Sequence, residues 1–418
     1  MHREALEILE TFRPEYDYDS PNIGYWASAI GSCYEALGQP EKALDIYVDV
    51  ADRSVDAINN SDIVSRINKL GGVPLSPDRE INVRYVKGSS FPAASHLETD
   101  GNLIFAAGNW YDKATRQRSP RVFTYNPNRE IWTDISPKNL ATVNCLEWAN
   151  GSLWIGTADG LWRGNNSGSN WKRFSAEDGL PDASISAIDA SGDHVYVGVG
   201  SRNSGGLVRM ADDGSVEILE GASAPRSSPV DIVSRDGFLI ISAGGVIQQL
   251  NLETNEWEKL GYSSVARVLD TGSEVIASAY QQELLSLDEL RQAAKDWRKG
   301  RKITAESKAP PMGTLKPDSR FTKAWFPRGA GKAGYLVKFA VDWDDEVWFG
   351  GSPWGRFQSA GVYRIHKETG EFTMFKPRDG FRTSTTYTAY DGVLKGNELW
   401  MTTSAGLAVV TRRKTKSQ

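Results

Sequence analysis

One short phrase recurs seven times along this chain: a polar turn, then an apolar strand that ends in Gly, Ala, Ser or Thr. Its copies are Asn102-Leu103-Ile104-Phe105-Ala106, Leu153-Trp154-Ile155-Gly156, Val195-Tyr196-Val197-Gly198, Leu239-Ile240-Ile241-Ser242, Val275-Ile276-Ala277-Ser278, Val347-Trp348-Phe349-Gly350 and Leu399-Trp400-Met401-Thr402. Counted from residues 104, 154, 196, 240, 276, 348 and 400, the intervals are 50, 42, 44, 36, 72 and 52. A period of about forty residues marks a repeated unit of four short strands. The flanking sequence supplies them. A strand such as Ile185–Asp189 precedes the phrase, one such as Gly160-Leu161-Trp162-Arg163 follows, and a fourth brings Trp132, Trp171, Trp257 or Phe372 after a polar turn. Those aromatics read as cement between units.

The repeats predict a mainly β fold, a seven-bladed β-propeller over residues 80–411, with an eighth blade left open by the 72-residue interval. The last unit runs into a basic tail, 412–418, without a fourth strand, while Ile81–Val86 is a spare strand ahead of the first. Joining the two would close the ring and remove two exposed strand edges.

Composition fits this picture and excludes others. Forty Gly and 14 Trp in 418 residues suit turn-rich β structure, and 40% hydrophobic residues are enough for a sizeable core. Two cysteines and four histidines cannot make a disulfide framework or a multi-His centre, so no metal and no cofactor is expected. The N-terminus has no secretory apolar core and no 18-residue apolar run occurs. The chain as written therefore reads as cytoplasmic, an expectation that lapses if it is part of a longer exported protein.

Residues 1–72 have a helical period instead. Asn22 follows a start signal, Gly38-Gln39-Pro40 interrupts, and Glu41 restarts a second helix. Ile30-Gly31, Tyr34, Gly38, Ala43 and Tyr47 fall at the spacing of a tetratricopeptide repeat, which the hairpin resembles, with a further helix at 61–70. Ala27 at the usual aromatic position and Val55 in place of the closing Pro depart from that motif.

In the propeller, Glu177-Asp178-Gly179-Leu180-Pro181, with Leu153–Thr157 and Gly160–Arg163 before it, resembles the two-component-regulator propeller repeat, shading toward kelch-like repeats in the polar-turn-then-Trp strands. The resemblance implies the propeller fold and a sensory or binding role, in a family whose members include oligosaccharide sensors.

Catalytic constellations are sparse. Gly329-Ala330-Gly331-Lys332-Ala333 lacks both the first Gly and the Ser/Thr of a P-loop. Asp342–Glu346 reads as a strand-to-strand turn. His96, His194 and His366 fall in separate blades. Loops say more: long second-to-third-strand connections would place Trp110, Tyr111, Arg116, Arg118, Arg202, Trp354, Arg356 and Phe357 on one face, and aromatics beside arginines suit sugars, peptides or anionic groups. A basic insertion at about 288–332 includes Arg298, Lys299, Arg301, Lys302, Lys323 and Arg328. It carries a net +9 over 291–332 within a chain of net −5. It would suit an acidic partner surface or dock on the protein's own acidic surface; nucleic acid is the weaker reading.

The expected function is non-enzymatic recognition of a protein or glycan on the long-loop face, with a role in signalling. The alternatives are a propeller enzyme acting on a polysaccharide or lactone, and a structural scaffold module.

Overall fold

The computed structural model describes residues 2–11, 22–53, 61–71, 75, 80–88, 94–112, 116–201, 204–221, 224–263, 266–279, 284–299, 301, 303, 308–312, 336–352, 361–375, 379–381 and 388–413. Seven antiparallel sheets follow one another in chain order. Blade one spans 94–134, two 143–174, three 185–218, four 229–262, five 266–286, six 336–374 and seven 389–412. Each first strand packs against the first strands of the neighbouring blades, so seven inner strands surround a central channel.

The ring closes through the spare N-terminal strand. Ile81–Tyr85 pairs antiparallel with Gly406–Arg412, from Ile81 opposite Arg412 to Tyr85 opposite Ala408, as the fourth strand of blade seven. Among the described residues there is no eighth blade, and the long interval holds a helix. Blade five has three strands among the described residues, and α5 (Leu287–Arg298) follows directly from its last one. Ser286 and Glu289 cap that helix reciprocally, satisfying two N-terminal donors.

One register rule governs every blade. The residue seven positions before the strand centre pairs with it across the first hairpin: Glu98 with Phe105, Glu147 with Trp154, Asp189 with Tyr196, Val233 with Ile240, Leu269 with Ile276, Val341 with Trp348 and Val393 with Trp400. In blade one the equivalent centre is Phe105, not Ile104, which pairs with Thr99 at the strand end.

The small residue that ends each phrase has a packing reason. A Cβ on Gly156 would lie 2.3 Å from Cys145 Sγ and 2.7 Å from Ile185 Cγ2 of blade three. On Gly350 it would lie 1.9 Å from Phe339 Cε1. A side chain here would occupy the space that an inner-strand residue fills to reach the next blade.

The expected cement is present. Trp171 Nε1 donates to the Ile135 carbonyl at the end of blade one, and Trp132 Nε1 donates to the Lys87 carbonyl. Trp348 and Trp400 are fully buried, their indoles donating to Glu346 and Glu398.

The N-terminal helices α1 (His2–Thr11), α2 (Ile23–Ala36), α3 (Pro40–Arg53) and α4 (Ser61–Lys69) have a hydrophobic cluster of their own around Trp26, Ile30, Ala43, Tyr47 and Ile63. Gly31 lets α3 approach: a Cβ there would lie 2.2 Å from Tyr47 Cζ. Tyr47 also donates to Glu35, which pairs with Arg66 on α4 at 3.0 Å.

Candidate functional site: the channel and the blade-one hairpin

The loop residues singled out by sequence separate into two groups. Trp110, Tyr111, Arg116 and Arg118 lie together on the first long hairpin, whose strands Ile104–Asp112 and Gln117–Asn126 stay paired as far as Asp112 opposite Gln117. The hairpin runs five residues past the small residue Ala107, roughly 16 Å of extended chain. Arg116, at φ 57°, and Arg118 are exposed. Trp110 is half-buried, its ring 5.1 Å from that of Phe123. Arg202, Trp354, Arg356 and Phe357 lie outside the described residues.

Of the basic insertion, Lys302, Lys323 and Arg328 also lie outside the described residues. Arg298 is docked on its own protein: it pairs with Glu258 of blade four at 2.7 Å, donates to the Lys259 carbonyl, and its side chain is 10% exposed. Lys299 ends α5, and the Arg301 guanidinium sits over the Trp297 ring.

The channel is the feature that loop reasoning did not reach. It encloses about 1560 Å³ and is lined by the inner strands of all seven blades. Each inner strand begins opposite the end of its partner strand, as Ala94 does opposite Gly108, so its first residues lie on the face from which the long hairpin projects. Six inner strands carry a β-bulge near this start, leaving Ser95, Asn144, Ser186, Val230, Lys338 and Tyr390 unpaired in the ladder. All six line the channel.

Deeper along the strands sit acids. Glu98, Glu147 and Asp189 occupy the same register position in three consecutive blades. Burial, with Asp391 and Asp189 nearby, pushes the Glu98 carboxyl up to about 8. Burial and the charges of Glu98, Asp189 and Asp270 hold Glu147 well above the carboxylate range, and burial with Asp270 raises Asp189 to about 7. Nearer the bulges, burial raises Asp391 to about 7 and lowers His96 to about 4. Arg267 holds Asp231 through two hydrogen bonds of 2.6 Å.

Several of these carboxyls join blades. Asp391 accepts from Leu97 N–H, Asp231 from Val268 N–H and Asp189 from Ser234 N–H, each on the next inner strand. The acids were legible as Glu or Asp seven residues ahead of three strand phrases, but only the ladder shows that they share a level. Among the described residues no group of three or more His, Cys, Asp or Glu is arranged to hold a metal ion, and no helix is long and apolar enough to cross a membrane.

The chain is thus a seven-bladed β-propeller with small helices at its N-terminus. Solved structures of similar fold include two extracellular domains assigned to hybrid two component systems of B. thetaiotaomicron. BT3049 aligns with a TM-score of 0.54 at 12% identity over 79% of this chain, and BT4673 with 0.53 at 12% over 81%. The chain spans 42% and 40% of those two chains. YCF48 bound to D1 peptide aligns with a TM-score of 0.51 at 12% identity, over 82% of this chain and 99% of its own. No protein-family model matches the sequence, and a search among curated proteins finds no significant match.

Proposed function

We propose that this propeller is a recognition protein that binds a protein segment on the face from which the blade-one hairpin projects. The observation that carries this reading is that hairpin: an extension paired as far as Asp112 opposite Gln117, bearing Trp110, exposed Arg116 and exposed Arg118 beyond the ring. Strand pairing limits the backbone entropy lost on binding, and aromatic and arginine side chains are the residue types that anchor interfaces. YCF48, similar in fold, is bound to a peptide, which supports a polypeptide ligand. A sensory role rests on the two-component likeness, and the N-terminal hairpin serves in this reading as a tetratricopeptide-like adaptor.

The test is capture of binding proteins by the full chain and by a variant carrying Trp110→Ala and Trp354→Ala. Loss of the captured protein, with the melting temperature of the ring unchanged, supports the site. Undiminished capture overturns it, and selective binding to an oligosaccharide array replaces the protein ligand by a glycan.

A propeller enzyme is the second reading, favoured by channel carboxyls that hold protons near neutral pH, as a general acid must. Against it, Asp391 and Asp189 already accept backbone N–H groups of neighbouring strands. Turnover of a polysaccharide or lactone that is abolished by Asp391→Asn would establish it.

A further inference from the structure

A β-bulge turns one residue out of the ladder and re-aims its side chain. In six inner strands here it brings to the channel mouth Ser95, Tyr390, Val230 and one cation, Lys338, together with Asn144 and Ser186, which donate to the Ile185 and Gly198 carbonyls. Val230 is 51% exposed, so the channel presents apolar surface there rather than filling it. A few polar groups converging around apolar surface at the mouth of a cavity is how a small-molecule site is built.

Lys338 is the member that the fold does not explain. Among the described residues it makes no ion pair, whereas Lys367 on the same blade pairs with Asp342 and Arg267 on the neighbouring inner strand pairs with Asp231. The channel's acids are otherwise committed: Asp231 to Arg267, Asp391 to the Leu97 and Gly392 amides. Glu98, Glu147 and Asp189 stand deeper, in blades one to three, none of which adjoins blade six. An amine half-buried beside a guanidinium is unfavourable when charged: burial and Arg267 lower the proton affinity of Lys338, and Asp231, held by Arg267, offsets this only in part. An anion would reverse that penalty.

We propose that Lys338, with Arg267 beside it, seats the anionic group of a small organic ligand, a carboxylate or a phosphate ester, at the mouth of the channel. The Ser95 hydroxyl and Tyr390 then contact the ligand's body. The site is separate from the blade-one hairpin and stands whether or not that hairpin takes a protein partner.

Calorimetric titration of the full chain with malonate and, separately, with inorganic phosphate tests this. The expected result is saturable binding of at least one probe, weakened about tenfold or more in Lys338→Met and within a few fold of wild type in Lys338→Arg, as for loss of a charge-assisted hydrogen bond. Lys87→Met, on an exposed turn, is expected to bind as wild type does. The bound anion should also slow acylation of the Lys338 amine by acetic anhydride, read by peptide mass spectrometry. Malonate alone identifies a carboxylate ligand and phosphate alone a phosphate ester. No binding by either probe, or equal affinity in Lys338→Met, overturns the proposal and leaves the hairpin reading untouched.

Discussion

Asp391 of blade seven accepts the backbone N–H of Leu97 of blade one at 2.8 Å, joining the last inner strand of the ring to the first. The inner strand of a propeller has one edge without a ladder partner, and a carboxylate from the neighbouring blade satisfies it here. Asp231 to Val268 and Asp189 to Ser234 repeat the arrangement. In all three, the acceptor reaches one register step further along the next strand. Asp391→Ala is therefore expected to destabilise the fold by about 1–3 kcal/mol, because it leaves a part-buried N–H unsatisfied. Asp391→Asn keeps an acceptor and should lose less than half of that. Urea denaturation of both variants checks the order, and equal losses would count against the hydrogen bond as the cause.

The channel acids should give the protein an inverted pH dependence. Glu98 sits at about 8, Asp189 and Asp391 at about 7, and Glu147 is raised too. All lie above their unfolded values of about 4. A carboxyl that binds its proton more tightly when folded contributes stability in full below its unfolded pKa, and that contribution is lost as pH rises through the folded pKa. These groups therefore stabilise less and less from about pH 4 to pH 8. The difference in urea midpoint between wild type and a Glu98→Gln, Glu147→Gln variant should move in the variant's favour as pH is raised from 5 to 8.5. A constant difference would mean that the two carboxyls ionise as they do in the unfolded chain.

Phe339 joins blade six to blade seven. Its ring leaves no room for a Cβ on Gly350, 1.9 Å away, or on Gly392, 2.5 Å away. Gly350→Ala is expected to cost about 1–3 kcal/mol through overpacking, with most of the loss recovered when Phe339→Leu is added. Thermal melts of the single and double variants decide whether the two changes couple.

Arg298 fastens α5 to blade four through Glu258, while Leu287 and Leu290 fill the same hydrophobic cluster as Leu260 and Met312. Arg298→Ala leaves Glu258 without that partner and should cost roughly 3 kcal/mol, toward the low end for breaking a largely buried pair. Amide exchange would then quicken across Leu287–Arg298 while the inner strands keep their protection. Uniform acceleration would instead mean that α5 unfolds only with the whole ring.

The propeller was legible because its units repeat. Seven strand phrases, the aromatics after the fourth turns and the spare strand Ile81–Val86 are all local patterns, and each maps onto the sheets found here. The helix at Leu287–Arg298 is likewise a local pattern, with the buried Leu287, Leu290 and Ala294 at helical spacing. The channel was not. Lys338 and Tyr390 belong to bulges, and nothing in an alternating pattern marks which residue drops out of the ladder. Arg298 shows the same limit, for its charge could be read but not its docking on Glu258.

The sequence by itself determined the repeated four-stranded unit, the strand that closes the ring and the long blade-one connection that carries Trp110, Arg116 and Arg118, since each follows from side-chain periodicity and turn chemistry along one stretch of chain; the choice of seven blades over eight came from the structure. Only the tertiary structure decided that Glu98, Glu147 and Asp189 share one level, that Asp391 of blade seven fastens Leu97 of blade one, and that Lys338 faces a channel without an ionic partner among the described residues. Those facts depend on how seven separate inner strands are staggered around an axis, and burial and mutual repulsion act on charges only once that arrangement exists.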